Sequence, residues 1–135
     1  MKKRGFGEGL WNGCGGKVDP GETVEQAMIR ECQEEIGVTP TAYEKVAIHD
    51  FIMEDHDDFE AHTYVATQWD GEPVETEEMA PQWFKKTDIP YAKMWQDDIV
   101  WLPAVLQGKK LRTTFTFSST NDMTGAKLTF VESLE

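Results

Sequence analysis

Positive charge is scarce in this chain: thirteen Lys and Arg stand against twenty-five Asp and Glu among 135 residues, a net charge of −12. A uniformly charged acidic face repels a nucleic-acid backbone and an anionic membrane surface, so polymeric DNA or RNA and the membrane are excluded as expected partners. Cysteine is nearly absent, and Cys14 and Cys32 lack the paired spacing of a zinc knuckle or a redox dithiol. With no signal-like apolar segment before them, reduced thiols in the cytoplasm are the expectation. No apolar run approaches the roughly 18 residues that span a bilayer. The three histidines, His49, His56 and His62, show no tight metal spacing and read as ordinary sheet or loop residues. No repeat, low-complexity tract or linker divides the chain, whose length fits one domain over residues 1–135.

Glycine, by contrast, is concentrated. Seven of the eleven glycines fall in residues 1–21, beside Lys2, Lys3, Arg4 and Lys17, the local basic patch of an acidic chain. Glycine lets backbone approach a ligand closely, while Phe6, Trp11 and Asn12 add stacking and hydrogen-bonding groups, a mixture suited to a nucleotide. A flexible N-terminal arm with snorkelling lysines is the competing account.

Asp19, Pro20 and Gly21 mark a turn, and Thr23 with Gln26 forms a capping box for a helix over 24–36 that Gly37 can end. At about 100° per residue, Met28, Ile29, Cys32 and Ile36 share the packing side, and Glu31, Glu34 and Glu35 occupy the adjoining arc. Like charges at these spacings repel, and a bound cation would reverse that. A solvated acidic face and a metal site are both open on these residues, with the glycine-rich turn before the helix favouring the second.

Downstream, 45–53 and 61–69 read as a hairpin of β-branched and aromatic strands around the acidic loop EDHDDFE, and 82–86 as a further strand. Residues 97–108 read as a second helix, capped by Gln96 or Asp97, ended by Gly108 and made irregular by Pro103. Residues 111–119 and 127–131 complete a second hairpin. Strands interleaved with two helices define an α+β class.

The order Gly16, Glu22, Arg30, Glu31, Cys32, Glu34, Glu35, Gly37, Val38 resembles the Nudix box at every fixed position, with Cys32 at an otherwise aliphatic site. The segments MKKRGFG, WNG, GGKV, PVETEEM, the pair Trp83 and Phe84, and MWQDDIVW extend the likeness over most of the chain. They are similar to the MutT-like branch whose mammalian members hydrolyse oxidised purine nucleoside triphosphates. The resemblance implies an α/β/α sandwich around a mixed sheet and a metal-carrying helix. It implies metal ligands at Glu31, Glu34, Glu35, Glu78 and the Gly15 carbonyl, with Glu22 and Arg30 as a supporting pair. Substrate binding falls on Lys2, Phe6, Asn12, Cys14, Gly15, Gly16, Lys17, Trp95, Gln96, Asp97, Asp98 and Trp101.

The implied activity is Mg²⁺-dependent hydrolysis, with Mn²⁺ as a substitute, of a substrate such as 8-oxo-dGTP or 2-oxo-dATP to the monophosphate and pyrophosphate. Glu31, Glu34, Glu35 and Glu78 form the catalytic set, and the choice of general base is open. A Nudix hydrolase of other nucleoside diphosphate derivatives and a non-hydrolytic nucleotide-binding module are the alternatives. Relatives carry a strand and a turn before the position of Met1. Its absence implies unpaired sheet edges, and from this we expect either a start site placed downstream or completion by a partner, including a homo-oligomer. Leu10, Cys14 and Met53 depart from the family around the pocket and leave the preferred base open.

Overall fold

Helix α1 spans Val24–Ile36, followed by strands β1, Thr39–Met53, and β2, Phe59–Asp70; a single 3₁₀ turn, Tyr91–Lys93; helix α2, Asp98–Leu106; and strands β3, Lys110–Phe117, and β4, Met123–Val131. This computed structural model describes residues 1–134. The four strands form one mixed sheet in the order β2-β1-β3-β4. β1 pairs parallel with β3, and β3 pairs antiparallel with β4. Among the described residues no helix is long and apolar enough to cross a membrane.

The α1 boundaries follow from its caps. Thr23 Oγ1 accepts from the Gln26 backbone N–H at 3.1 Å, and Gln26 Oε1 accepts in return from the Thr23 N–H at 2.9 Å. At the other end Gly37 takes φ 73°, a left-handed conformation that glycine adopts without a Cβ clash.

Two expectations fail. Residues 82–86 form no strand; the nearest pairing is a lone antiparallel bridge between Lys2 and Met79. Pro81, immediately before it, brings no backbone N–H to a ladder. The cap of α2 also differs: Asp97 holds the N-cap position, but its side chain caps no backbone N–H. Its Oδ2 instead accepts from the Trp101 indole Nε1–H at 2.8 Å, four residues along the same helix face. Pro103 is accommodated inside α2.

The chain separates into two compact units, Met1–Tyr43 with Ala66–Trp95, and Glu44–Val65 with Gln96–Glu135. In the second unit the β1 face carrying Ala47, His49, Phe51 and Met53 lies in register with Leu111, Thr113, Phe115 and Phe117 of β3. Apart from the half-buried Phe51 these side chains are buried, as are Trp101 and Val105 of α2. The first unit carries α1 and the glycine-rich N-terminus.

Candidate functional site

In the first unit α1 does not present its glutamates as one solvated arc. Ala27, Glu31 and Glu35 follow at intervals of four and share one inward stripe: Ala27 is 3% exposed and Glu35 is 3% exposed. Met28, Ile29, Cys32 and Ile36, expected to be the packing side, are only half-buried, and Glu34 is exposed. The turn before the helix covers the stripe. A Cβ built on Gly16 would lie 2.5 Å from Glu31 Oε1 and 2.7 Å from Oε2, so only glycine admits the carboxylate there.

Arg30 ties loop to helix. Its Nε and Nη2 donate to Glu22 at 2.8 and 3.0 Å, its Nη1 to Glu31 at 2.9 Å and Glu34 at 3.1 Å, and its Nη2 also to the Lys17 carbonyl at 3.0 Å. That fork holds the Glu22 carboxyl below its ordinary pKa.

The far end of α1 is pinned by the segment after β2. Thr76 Oγ1 donates to the Glu35 carbonyl at 2.6 Å and Val74 N–H to the Ile36 carbonyl at 3.0 Å, satisfying two carbonyls the helix leaves open. A Cβ on Gly71 would meet the Gly37 carbonyl oxygen at 2.8 Å, so the two backbones touch. Thr76 also accepts from the N–H groups of Glu78 and Met79 in a tight turn. Lys3 N–H donates to the Glu78 carbonyl at 2.9 Å, and Met1 and Ala80 bond reciprocally, which brings Lys2 to 3.8 Å from Glu78. Arg4 grips the Glu78 carboxylate through Nε at 2.8 Å and through Nη2, and this contact lowers the Glu78 pKa.

Glu35 stands apart from its neighbours. Its Oε2 is buried without a hydrogen-bond partner. Burial pushes its pKa up to about 7, the Lys2 charge and the Gly15 backbone N–H opposing and Glu31 adding to the rise. An orphaned, buried carboxylate oxygen beside a second carboxylate in a glycine cradle suits a hard divalent cation, which takes oxygen donors. Glu31, Glu34, Glu35 and Glu78 would hold it. Among the described residues, however, no three such side chains already converge as ligands: Arg30 draws Glu31 and Glu34, and Arg4 draws Glu78.

The remaining first-unit residues lie around the glycine loop. Lys2 N–H donates to the Leu10 carbonyl, and Gly9 N–H to that of Lys2, both at 2.9 Å, closing a loop with Phe6 at its tip. Phe6 stacks on Trp95 at 5.0 Å and 26°, and Gly7 lies against the same indole. Asn12 and Lys17 are exposed. Cys14 and Cys32 lie close enough to interact, Cys32 raising the Cys14 pKa, with burial adding, and Cys14 lowering that of Cys32. The two thiols thus meet although their spacing gave no sign of it.

In the second unit Asp97 and Asp98 are both buried, and burial pushes both pKa values up, that of Asp98 to about 7 with the Asp97 charge contributing. Asp98 Oδ2 is buried without a partner. Gln96 has its amide taken up by the turn before β4, donating to Asp122 at 2.9 Å and accepting from Met123 N–H at 2.8 Å. Arg4 and Thr76, which sequence reasoning did not single out for the site, are placed by pairings distant along the chain.

On a capped helix beside a mixed sheet, Glu31 and Glu35 face a glycine turn as oxygen donors of the kind a divalent cation takes. The comparisons with known proteins agree. A family profile described as NUDIX domain matches residues 1–105. Over 135 residues the chain is 44% identical to the oxidized purine nucleoside triphosphate hydrolase of Danio rerio, covering 99% of this chain and 86% of that protein. It is 42% identical to the Mus musculus protein of the same description, covering 98% and 86%. The solved structure of the MutT protein from Bacillus halodurans superposes with a TM-score of 0.82 at 26% identity, covering 89% of this chain and 82% of that one. The chain belongs to the Nudix family of hydrolases, which generally use a divalent metal.

Proposed function

We propose that this chain hydrolyses oxidised purine nucleoside triphosphates, such as 8-oxo-dGTP or 2-oxo-dATP, to the nucleoside monophosphate and pyrophosphate with Mg²⁺, removing damaged nucleotides from the precursor pool. The observation that carries the chemistry is the unpartnered Glu35 Oε2, buried on α1 in the same stripe as Glu31. The near full-length identity to two oxidized purine nucleoside triphosphate hydrolases supports the substrate class.

A divalent cation held by Glu31, Glu34, Glu35 and Glu78 would supply Lewis-acid polarisation of the phosphates and a better water nucleophile. The chain's own part is positioning and proton transfer. Arg30 and Gly16 set the Glu31 carboxylate, and Thr76 sets the turn that presents Glu78. Glu35 keeps one carboxylate oxygen without a partner, and we assign it as general base ahead of Glu78, whose carboxylate Arg4 engages. For the base, Asp97 and Asp98 offer two neighbouring buried carboxyls, one oxygen of Asp98 being without a partner. Pyrophosphate release from a panel of oxidised and ordinary nucleotides, with and without Mg²⁺, tests the reading. Hydrolysis of ADP-ribose to AMP and ribose 5-phosphate at an equal rate, or no pyrophosphate from any purine triphosphate, would overturn it.

A further inference from the structure

The second unit holds a buried polar residue in an aromatic core that the proposed chemistry does not use. His49 is 2% exposed in the middle of β1. Its Nδ1 meets Thr113 Oγ1 at 2.6 Å, on the residue opposite it in the β1–β3 register, and its Nε2 meets Thr63 Oγ1 at 3.2 Å. Both ring nitrogens are therefore occupied. The ring lies among Phe51, Phe115 and Trp101, and the Trp101 ring is nearest, with centroids 4.4 Å apart at 50°.

An imidazole tethered at two corners cannot turn in its plane, whereas an aliphatic side chain at this position would offer a smooth, yielding surface. The constraint matters because Trp101 has one donor, and that donor is committed to Asp97 Oδ2 at 2.8 Å. A small rotation of the indole would lose this bond and leave a buried carboxylate oxygen unpaired. The line Thr63 and Thr113, His49, Trp101, Asp97 runs from the sheet to the N-terminus of α2 within one compact unit.

We infer that His49 is a positioning residue for purine selectivity: its tethered ring sets the Trp101 indole, which in turn orients the Asp97 carboxylate. The inference rests on the reading above that Asp97 and Asp98 recognise the base. Burial pushes the His49 pKa down to about 4, so the ring is neutral across the working pH range and keeps one nitrogen as donor and one as acceptor.

The test is steady-state pyrophosphate release on 8-oxo-dGTP and dGTP by His49→Gln, Thr63→Ala and, as a reference, Asp97→Asn. Thr63 is half-buried, so its alanine variant breaks one tether without opening the core. We expect KM for 8-oxo-dGTP to rise about tenfold in His49→Gln and about threefold in Thr63→Ala, kcat to stay within about twofold, and selectivity over dGTP to fall in step. In a Trp101→Phe background, Thr63→Ala should add nothing further. A Thr63→Ala enzyme with wild-type KM and selectivity overturns the inference, as does an equal fall in kcat on both nucleotides with selectivity kept, the mark of a purely structural role. Should Asp97→Asn itself leave selectivity unchanged, the base-recognition reading fails instead, and the inference goes with it.

Discussion

Gly16→Ala separates site geometry from stability. The new Cβ would sit 2.5 Å from Glu31 Cδ and Oε1, where non-bonded carbon atoms prefer roughly 3.5–4.0 Å, so the carboxylate must retreat by about 1 Å. The obstacle is the far end of a flexible side chain, and the backbone need not move. Arg30 would lose its bond to Glu31 and keep those to Glu22, Glu34 and the Lys17 carbonyl. One partly exposed ion pair is worth about 0.5–1 kcal/mol, which lowers the melting temperature by about 2–5 °C. Activity should suffer far more, since a 1 Å displacement of a positioned group costs about a hundredfold in rate. Differential scanning fluorimetry and pyrophosphate release on the same preparation read the two effects. Gly13→Ala, with nothing within 4 Å of its added Cβ, is the control and should change neither. In a Glu31→Ala background the Gly16 substitution should cost little more. Full turnover by Gly16→Ala, or an undiminished hundredfold loss without the Glu31 carboxylate, would refute the cradle.

Further outcomes follow from the buried carboxyls and the cap. Glu35→Gln should lower kcat by two or more orders of magnitude while nucleotide binding, followed by calorimetry, survives; an unchanged rate removes Glu35 from the base role. Asp98 has its pKa raised from 3.8 to about 7, so the folded state holds its proton more tightly than the unfolded chain. That contribution is fully present below pH 4, is lost as pH rises through 7, and amounts to at most about 4 kcal/mol. Asp98→Asn does not titrate, so its stability in urea relative to wild type should climb from pH 4 to pH 8, and a pH-independent difference would contradict this. Thr23→Ala removes the capping box and should cost about 1 kcal/mol, measured by the same denaturation, with kcat unchanged.

Local signals in this chain were readable because their physics is local. The span of α1, its capping box and its left-handed Gly37 all came from neighbours within four residues, and each is as expected. The β3–β4 hairpin was legible from alternation, although β4 begins earlier, at Met123, where the register shifts. What depends on distant pairing was not legible. The parallel match of β1 with β3 is invisible to periodicity, as is the pairing of Lys2 and Lys3 with residues 78–79 that puts Arg4 on Glu78. The burial of Glu35 was not legible for a related reason. Solvated face and metal site were both open for its arc, with the glycine-rich turn favouring the second, and its position eight residues after Ala27 puts it on an inward stripe that the turn covers.

The acidic surplus of the chain acquires a specific meaning at α1. One guanidinium answers four anions, with Asp19 at 3.4 Å in addition to the bonds to Glu22, Glu31 and Glu34, a distribution that only a planar fork can make and that a lysine ammonium would not reproduce. The helix is left with more negative charge than its own cations offset, and with Glu35 lacking a partner on one oxygen. Like charges at intervals of three and four cost stability in the free protein, and a cation bound among them returns that cost as binding free energy. Arg30 therefore does two things that pull in opposite directions. It holds Glu31 and Glu34 side by side on the helix, and it would compete with the proposed cation for the same oxygens. Its share is divided between Glu31 and Glu34 on a single nitrogen, so either carboxylate can leave without releasing the Glu22 clasp that keeps the loop on the helix.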